Sequence, residues 1–463
     1  MTNVLELAAA HAARYLETLP TRPIAATASI ADLHERLAKP LPEIGLPDAT
    51  VIDELVRDTE GGIMGSAGGR FFGWVIGGTL PAALAADWLT SAWDQNAASN
   101  LTAPAEAVIE QVCGEWAKEL LGLPAAASFG LVTGCQMAHT TALASARHKL
   151  LRERGWDVEA KGLSGAPSLR ILTTENRHES ILRAARLLGV GTDAIVYVRA
   201  NNSGCIELRA LEEALQSGGD PPTIVCLQAG DLNTGVFDPF GRACEIAHRA
   251  GAWVHVDGAI GLWVAASERH RHLLRGVEQA DSWATDGHKW LNLPFDSGLV
   301  FVRDAAAHRA SFAQDTSYSV PTESVRNQKD WNPEWSRRGR GFPLYAAFRA
   351  LGRAGIAEIV DRGCRHAERL VRGIGGLPGA EIAAVPVINQ GLVRFVSRDG
   401  EHDKFTDRVI CLIQEDGVAW FGGATWHGMR VMRVSVSNWR TSDDDVERTI
   451  DSVRRVLAAE NRQ

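Results

Sequence analysis

The sequence predicts an α/β fold in which helices cover both faces of a mostly parallel sheet. In the centre of the 463-residue chain, short β-like runs alternate with helical stretches, as in proteins whose strands are joined by helical crossovers. The β-like runs lie at 168–173, 194–198, 223–227, 253–256 and 298–302, and the helical stretches at 180–188, 209–216 and 242–250. A chain of this length suits two or three domains.

Three parts are expected along the chain. Residues 1–60 form a helical N-terminal segment with proline-rich connectors, which we expect to pack on a partner subunit. Residues 61–345 contain the alternating strands and helices and form the large domain. Residues 346–463 are expected to form a small C-terminal α+β domain. Its strands and helices are predicted near 391–396, 405–415, 429–436 and 442–458.

The composition excludes several classes of protein. Hydrophobic residues make up 45% and charged residues 22% of the chain, as in a soluble globular protein. The net charge of −8 argues against nucleic-acid binding, and no apolar run is long enough for a membrane span. The N-terminus lacks a secretory signal. The seven scattered cysteines favour reduced thiols in the cytoplasm over disulfides or a metal site.

Two short motifs indicate the chemistry. Lys289 lies in the run Ala284-Thr-Asp-Gly-His-Lys-Trp, and Asp257 ends the strand-like run Trp253-Val-His-Val-Asp. Such a lysine can hold an aldehyde cofactor as a Schiff base, and such an acid can keep a pyridine nitrogen protonated. The pair therefore predicts pyridoxal phosphate (PLP) chemistry. Taken singly, Lys289 is also compatible with a surface turn and Asp257 with a helix cap.

Further residues fit the same cofactor. Ala259 offers a small apolar surface beneath the ring. His178, at a helix start, could stack on the ring and move protons, although a lone histidine there is more often structural. Gly134, Cys135 and Gln136 open a helical stretch, and backbone amides at such an end bind anions, here the cofactor phosphate.

With these motifs, the chain resembles the group II pyridoxal-dependent decarboxylases, which include the aromatic-amino-acid, glutamate and histidine enzymes. The resemblance extends from about residue 70 to 450 and is most specific around Lys289. The matching segments are Gly134–Arg147, His178-Glu-Ser, Asn233-Thr-Gly-Val-Phe-Asp-Pro, His255-Val-Asp-Gly-Ala, Asp286–Gly298, Trp335-Ser-Arg-Arg and Arg433–Asn438.

The resemblance implies the PLP-dependent transferase fold type I and a homodimer with active sites shared between subunits. It implies a decarboxylase that releases CO2 and an amine from an L-amino acid through an aldimine on Lys289. The implied cofactor contacts are Asp257 at the pyridine nitrogen, His178 and Ala259 on the two ring faces, Cys135 and Gln136 at the phosphate, and Asp286 and His288 beside it.

One departure from the family pattern affects the reaction. Many members carry a loop tyrosine that protonates the substrate carbon after CO2 leaves. Counting back from Arg337, that position is Gln328, which cannot supply a proton. Tyr318 lies in the same presumed loop, residues 314–332, so Tyr318, His178 or water would have to act as the acid.

Two alternatives to decarboxylation follow. Without a proton donor, the chain could be an aminotransferase or a carbon–carbon lyase. A non-catalytic scaffold with this fold would be expected to lack Lys289 or Asp257, and both are present. A smaller departure places Asp231 and Leu232 where the family carries hydroxyl groups near the ring or substrate.

Overall fold

Seven strands form the central sheet of the computed structural model, which describes residues 2–314 and 326–460. The strand order is β1-β7-β6-β5-β4-β2-β3. The strands are β1 (Ser128–Val132), β2 (Arg170–Thr173), β3 (Ile195–Tyr197), β4 (Thr223–Gln228), β5 (Trp253–Asp257), β6 (Ser282–Asp286) and β7 (Gly298–Val302). Strands β6, β5, β4, β2 and β3 pair in parallel, whereas β7 is antiparallel to both β1 and β6. The predicted mostly parallel sheet is confirmed.

Helices accompany the sheet strands along the chain. Helix α6 lies against β5, β6 and β7 and packs on α8. An apolar cluster that includes Leu143, Ile171, Ile224 and Val300 is almost fully buried between these elements. The helices up to this part of the chain are α1 (Thr2–Thr18), α2 (Ile30–Leu37), α3 (Asp48–Thr59), α4 (Pro81–Trp93), α5 (Pro104–Leu121), α6 (Cys135–Glu153), α7 (Val158–Lys161), α8 (Glu179–Leu187), α9 (Leu208–Gln216), α10 (Phe240–Arg249) and α11 (Ala305–Ala310).

Four further strands form a second sheet, in the order β10-β11-β9-β8. They are β8 (Ala380–Ala384), β9 (Gln390–Phe395), β10 (Gly422–Trp426) and β11 (Met429–Ser435), accompanied by α12 (Gly341–Gly375), α13 (His402–Asp416) and α14 (Asp443–Glu460). The side chains of Phe395, Ile413 and Val434 are fully buried in the core that this sheet shares with its helices. The α+β character predicted for the C-terminal part is therefore found.

Two compact units divide the chain differently from the expected parts. One contains residues 79–365 and 386–391, and the other contains residues 1–78, 366–385 and 392–463. The N-terminal segment groups with the C-terminal elements because Arg70 donates a hydrogen bond to the carbonyl of Val418 and Phe72 stacks on Phe421. The boundary expected at 345 falls inside α12, which continues past a non-helical residue, Gly352 (φ 58°).

No helix in the described part of the chain is long and apolar enough to cross a membrane.

Candidate cofactor site

Two carboxylates lie at the same edge of the central sheet. Asp257 ends β5 and Asp286 ends the neighbouring parallel strand β6, and both are buried. Lys289 follows in the next turn, with its Nζ 2.9 Å from Oδ2 of Asp286. Burial acts to lower the pKa of Lys289, but Asp286 and Cys135 oppose it and the pKa is raised overall. The structure thus brings the predicted lysine and acids to the carboxyl end of the strands, where open α/β sheets bind ligands.

The carboxylate of Asp257 is held from two sides. Its Oδ1 accepts a hydrogen bond of 3.1 Å from the amide of Ala259, and its Oδ2 lies 3.5 Å from Nε2 of His139. Burial acts to raise the pKa of Asp257, but His139, His178 and Lys289 together hold it below its usual range. Asp257 is therefore an anion at neutral pH, as a partner for a protonated pyridine nitrogen must be.

At the predicted phosphate turn, the backbones of Gly134 and Gly298 lie in close contact. Helix α6 begins at Cys135, directly after Gly134. A side chain at Gly134 would place its Cβ 2.9 Å from Cε1 of His288, and one at Gly298 would place its Cβ 2.4 Å from the Cα of Gly134. The two glycines thus let the start of α6 approach β7 and the turn before Lys289. In this position the helix N-terminus can receive an anion.

The amide of Cys135, expected at the phosphate, donates a 2.7 Å hydrogen bond to Oδ1 of Asp286. The side chain of Gln136 donates to the carbonyl of Ser180 at 3.4 Å. Phosphate binding by Cys135 and Gln136 therefore stays a prediction, and what the structure adds is a link between Asp286 and the first turn of α6.

Both predicted histidines have local partners. Nδ1 of His288 accepts a 3.1 Å hydrogen bond from the amide of Ser297, and its Nε2 lies 3.6 Å from Oδ1 of Asp286. His178 caps α8, its Nδ1 accepting from the amide of Ser180 at 3.2 Å. Because the cap holds the imidazole of His178 in one orientation, the structural and the functional interpretations of this residue are compatible. Its stacking on the ring stays a prediction.

Sequence reasoning missed a row of buried polar side chains behind Asp257. His139, His255 and Ser282 are fully buried, and Nδ1 of His139 lies 2.9 Å from Nε2 of His255. Two signals could have found them. His139 follows Cys135 by four residues in α6, hence on the same helix face, and His255 precedes Asp257 by two in β5, hence on the same side of the sheet.

The residue expected in the catalytic loop has a different environment. Gln328 begins a short 3-10 helix, Gln328–Trp331, and its side chain is fully buried. Tyr318 lies outside the described residues. The assignment of Gln328 to the tyrosine position, made by counting residues, stays a prediction.

Asp231 also has a structural role. Its Oδ1 accepts hydrogen bonds from the amides of Asn233 (2.9 Å) and Thr234 (2.8 Å) and from the Thr234 hydroxyl. These bonds close the turn that follows β4. The carboxylate is therefore engaged within its own loop.

The arrangement fits PLP. Lys289 offers an amine for the aldehyde, Asp257 an anion for the ring nitrogen, and the start of α6 a backbone cradle for the phosphate, which a side chain at Gly134 would fill. A soluble aldehyde cofactor with a basic ring and a phosphate group requires these three kinds of contact.

Comparisons with known proteins agree with this chemistry. Residues 32–398 match the model of the pyridoxal-dependent decarboxylase conserved domain. The chain is 27% identical to an L-2,4-diaminobutyrate decarboxylase of Rhizobium meliloti over 89% of this chain and 83% of that protein. It is 26% identical to an aromatic-L-amino-acid decarboxylase of Bacillus atrophaeus over 82% and 78% of the two chains.

A solved structure of Oryza sativa TDC with PLP and tryptamine has a TM-score of 0.93 to this chain, at 22% identity and covering 99% of this chain and 98% of that one. The architecture is therefore PLP fold type I. Since the family model spans most of the sequence, the chain belongs to the pyridoxal-dependent decarboxylase family, whose cofactor is PLP.

Proposed function

We propose that this chain releases CO2 from an L-amino acid at the sheet edge formed by Asp257, Asp286 and Lys289. The observation that carries the proposal is the position of Lys289, whose Nζ is held 2.9 Å from a buried carboxylate at the end of β6. The similar L-2,4-diaminobutyrate and aromatic-L-amino-acid decarboxylases support the same reaction class.

Bound PLP supplies an aldehyde for the substrate amine and a ring that stabilises the carbanion left when CO2 departs. In this proposal Lys289 holds the cofactor covalently through its Nζ. Asp257 stays anionic opposite the ring nitrogen and so keeps that nitrogen protonated. Asp286 orients Lys289 with one oxygen and the first turn of α6 with the other. His178 and Ala259 confine the ring from its two faces.

Tyr318 is the proposed proton donor to the substrate carbon. A phenol supplies a proton far more readily than an amide. His178, whose Nδ1 accepts from the amide of Ser180, and water are the other candidates. This assignment concerns a residue outside the described ranges and depends on the loop motif.

The aminotransferase and carbon–carbon lyase alternatives are not favoured. Both depended on placing Gln328 at the position of the missing acid, which stays a prediction. The family model and the relatives that are amino-acid decarboxylases favour decarboxylation.

A homodimer is the proposed assembly. Trp88, Leu89 and Trp93 on α4 are each between 44% and 49% exposed. A groove of about 580 Å³ beside them is lined by Trp93, Ile109 and Phe342, among other apolar residues. Exposed apolar surface of this kind is typical of subunit contacts. Shared active sites are part of the same proposal.

A cytoplasmic location is also proposed. All seven cysteines are unpaired, as is usual in a reducing compartment.

The reaction is tested with the holoenzyme and a panel of L-amino acids that includes diamino, aromatic and acidic side chains. Release of CO2 together with a stoichiometric amine supports decarboxylation. Keto acid or aldehyde without amine would overturn it. Lys289→Ala is the matched control, because it should fold and still lack the covalent PLP absorbance band.

A further inference from the structure

A row of hydrogen-bonding side chains leads from the interior of the sheet toward Asp257. Nε1 of Trp253 donates to Oγ of Ser282 at 2.8 Å, and this oxygen lies 2.9 Å from Nδ1 of His255. Nε2 of His255 lies 2.9 Å from Nδ1 of His139. Nε2 of His139 then lies 3.5 Å from Oδ2 of Asp257. Each of these five side chains is buried.

We propose that this row is a directional relay that points the Nε2–H of His139 at Asp257 and so keeps the carboxylate anionic opposite the cofactor ring nitrogen. The inference rests on the proposed role of Asp257 and adds His139, His255 and Ser282 as positioning residues.

The direction follows from the first member of the row. An indole nitrogen can only donate, so the oxygen of Ser282 accepts from Trp253. Among the described residues, Nδ1 of His255 is the acceptor within reach of the Ser282 hydroxyl hydrogen. His255 therefore carries its own hydrogen on Nε2 and donates it to Nδ1 of His139.

The last link follows in the same way. A neutral His139 that accepts on Nδ1 carries its hydrogen on Nε2, the atom that faces Asp257. If the hydrogen were on Nδ1 instead, the lone pair of Nε2 would face Oδ2 of a buried carboxylate. Neither Nε2 nor Oδ2 would then have a donor to compensate for burial. In the described part of the chain, Nε2 of His139 forms no hydrogen bond, and Oδ2 of Asp257, 3.5 Å away, is the carboxylate oxygen beside it.

The row places a neutral N–H donor, and not a second positive charge, beside the carboxylate of Asp257. Burial lowers the pKa of His139 and lowers that of His255 to about 3, so both rings are neutral. Lys289 and His178 are the other groups that lower the pKa of Asp257. Sγ of Cys135 lies within 4.8 Å of a ring nitrogen of His139 and of a carboxylate oxygen of Asp257. A neutral donor stabilises the carboxylate while leaving its charge for the ring nitrogen.

The test compares two replacements of similar length in holoenzyme loaded with PLP labelled with 15N in the ring. His139→Gln keeps an N–H donor at the far end of the side chain, and His139→Met has none. In the wild-type protein and the His139→Gln variant, the 15N resonance of the PLP ring nitrogen is expected at the pyridinium position. With Met it is expected to move toward the unprotonated position, and the Kd of PLP is expected to rise about tenfold. An unchanged resonance in a folded Met variant, or an equal change in both variants, would overturn the relay.

If the His139→Met variant folds poorly, a milder variant and a measurement on the wild-type protein still test the relay. Ser282→Ala retains both imidazoles and should move the ring resonance in the same direction by a smaller amount. In wild-type protein labelled with 15N-histidine, His139 should be neutral with its hydrogen on Nε2 from pH 6 to 9. A hydrogen on Nδ1 instead would refute the proposal.

The Asp257→Asn variant distinguishes failure of the proposed role of Asp257 from failure of the relay. If it leaves the ring-nitrogen resonance unchanged, the assignment of Asp257 itself is wrong. If it moves the resonance and His139→Met does not, Asp257 keeps its role and the relay alone fails.

Discussion

Asp286 joins Lys289 to the first turn of α6 through one carboxylate. Its Oδ2 lies 2.9 Å from Nζ of Lys289, and its Oδ1 accepts the amide of Cys135 at 2.7 Å. The sequence predicted Asp257 as the partner of the cofactor's ring nitrogen and Asp286 only beside the phosphate, and it is Asp286 that forms the direct ion pair with Lys289. The position and charge of Lys289 therefore depend on a residue expected only beside the phosphate.

Asp286→Asn should shift the attachment of PLP to lower pH. The pKa of Lys289 is raised above its ordinary value mainly by Asp286, which opposes the effect of burial. An amine attacks an aldehyde only when neutral, so attachment increases as pH rises through that raised pKa. Removal of the charge should lower the midpoint by about one pH unit or more. The measurement is the rate at which the covalent PLP absorbance band appears in apoprotein across pH.

The control for this experiment is Asp361→Asn. Asp361 lies on α12 and accepts a hydrogen bond from Ser267, so its loss should leave the midpoint unchanged. An Asp286→Asn profile that coincides with wild type would mean that Asp286 does not set the protonation of Lys289.

The sequence predicts strands well where apolar residues dominate. The predicted bounds of β7 agree with the structure, and those of β5 differ by one residue. It does not predict β6, in which Ser282, Thr285 and Asp286 are polar and yet buried. The partners of Ser282 and Asp286 come from other elements: Ser282 accepts a hydrogen bond from Trp253 and Asp286 accepts one from the amide of Cys135. Periodicity along the chain cannot show that a polar residue is satisfied by a distant one.

The same limit applies to the site. Asp257 and Lys289 could be predicted because short motifs surround each of them. Sequence spacing could have placed His139 beside Cys135 and His255 beside Asp257, but not the two rings beside each other, because 116 residues separate them and only the fold brings them together. The assignment of Gln328 to a catalytic position was made by counting residues and stays a prediction, because spacing alone does not show which side chain of a long connection faces the site.

Glu106→Gln should stabilise the protein more at pH 8 than at pH 5. Burial, helped by the charge of Glu110, raises the pKa of Glu106 to about 8. The folded chain thus keeps a proton that the unfolded chain releases above about pH 4.5, and stability is lost as pH rises between these values. Glutamine has no proton to lose. The free energy of unfolding, relative to wild type, should rise by about 1 kcal/mol per pH unit over this range, as measured by denaturant titration.

Glu110→Gln provides the matched comparison, one helical turn away on α5. Glu110 is fully buried and forms an ion pair with Arg337. Its replacement leaves a buried cation without its partner and should cost about 3–5 kcal/mol. Equal behaviour of the two variants across pH would contradict the raised pKa assigned to Glu106.

Gly298→Ala should weaken PLP binding. The new Cβ would lie 2.4 Å from the Cα of Gly134, and neither backbone can move aside as a flexible side chain would. The start of α6 must shift, so the Kd of PLP should rise at least tenfold and the protein should lose about 1–3 kcal/mol of stability. Gly45→Ala is the control, because a Cβ there meets nothing within 4 Å. Unchanged PLP affinity in Gly298→Ala would show that the close contact does not position the cradle.

Tyr318→Phe should change the products rather than the fold. If Tyr318 supplies the proton to the substrate carbon, its loss should lower the rate of amine formation about 100-fold or more. The fraction of substrate that ends as a carbonyl product should rise. Both are measured by following CO2, amine and carbonyl compounds in one reaction. Amine formation at the wild-type rate would exclude Tyr318 as the acid.

Gln328→Leu should leave the products unchanged and should not destabilise the fold. The side-chain Oε1 and Nε2 of Gln328 are buried and have no hydrogen-bond partner among the described residues. Burying such groups without partners costs about 1–3 kcal/mol, and leucine has a similar size with no polar atoms, so Tm should stay the same or rise. The measurements are thermal unfolding and the ratio of amine to carbonyl product. A shift toward carbonyl products would support the assignment of Gln328 to the catalytic position.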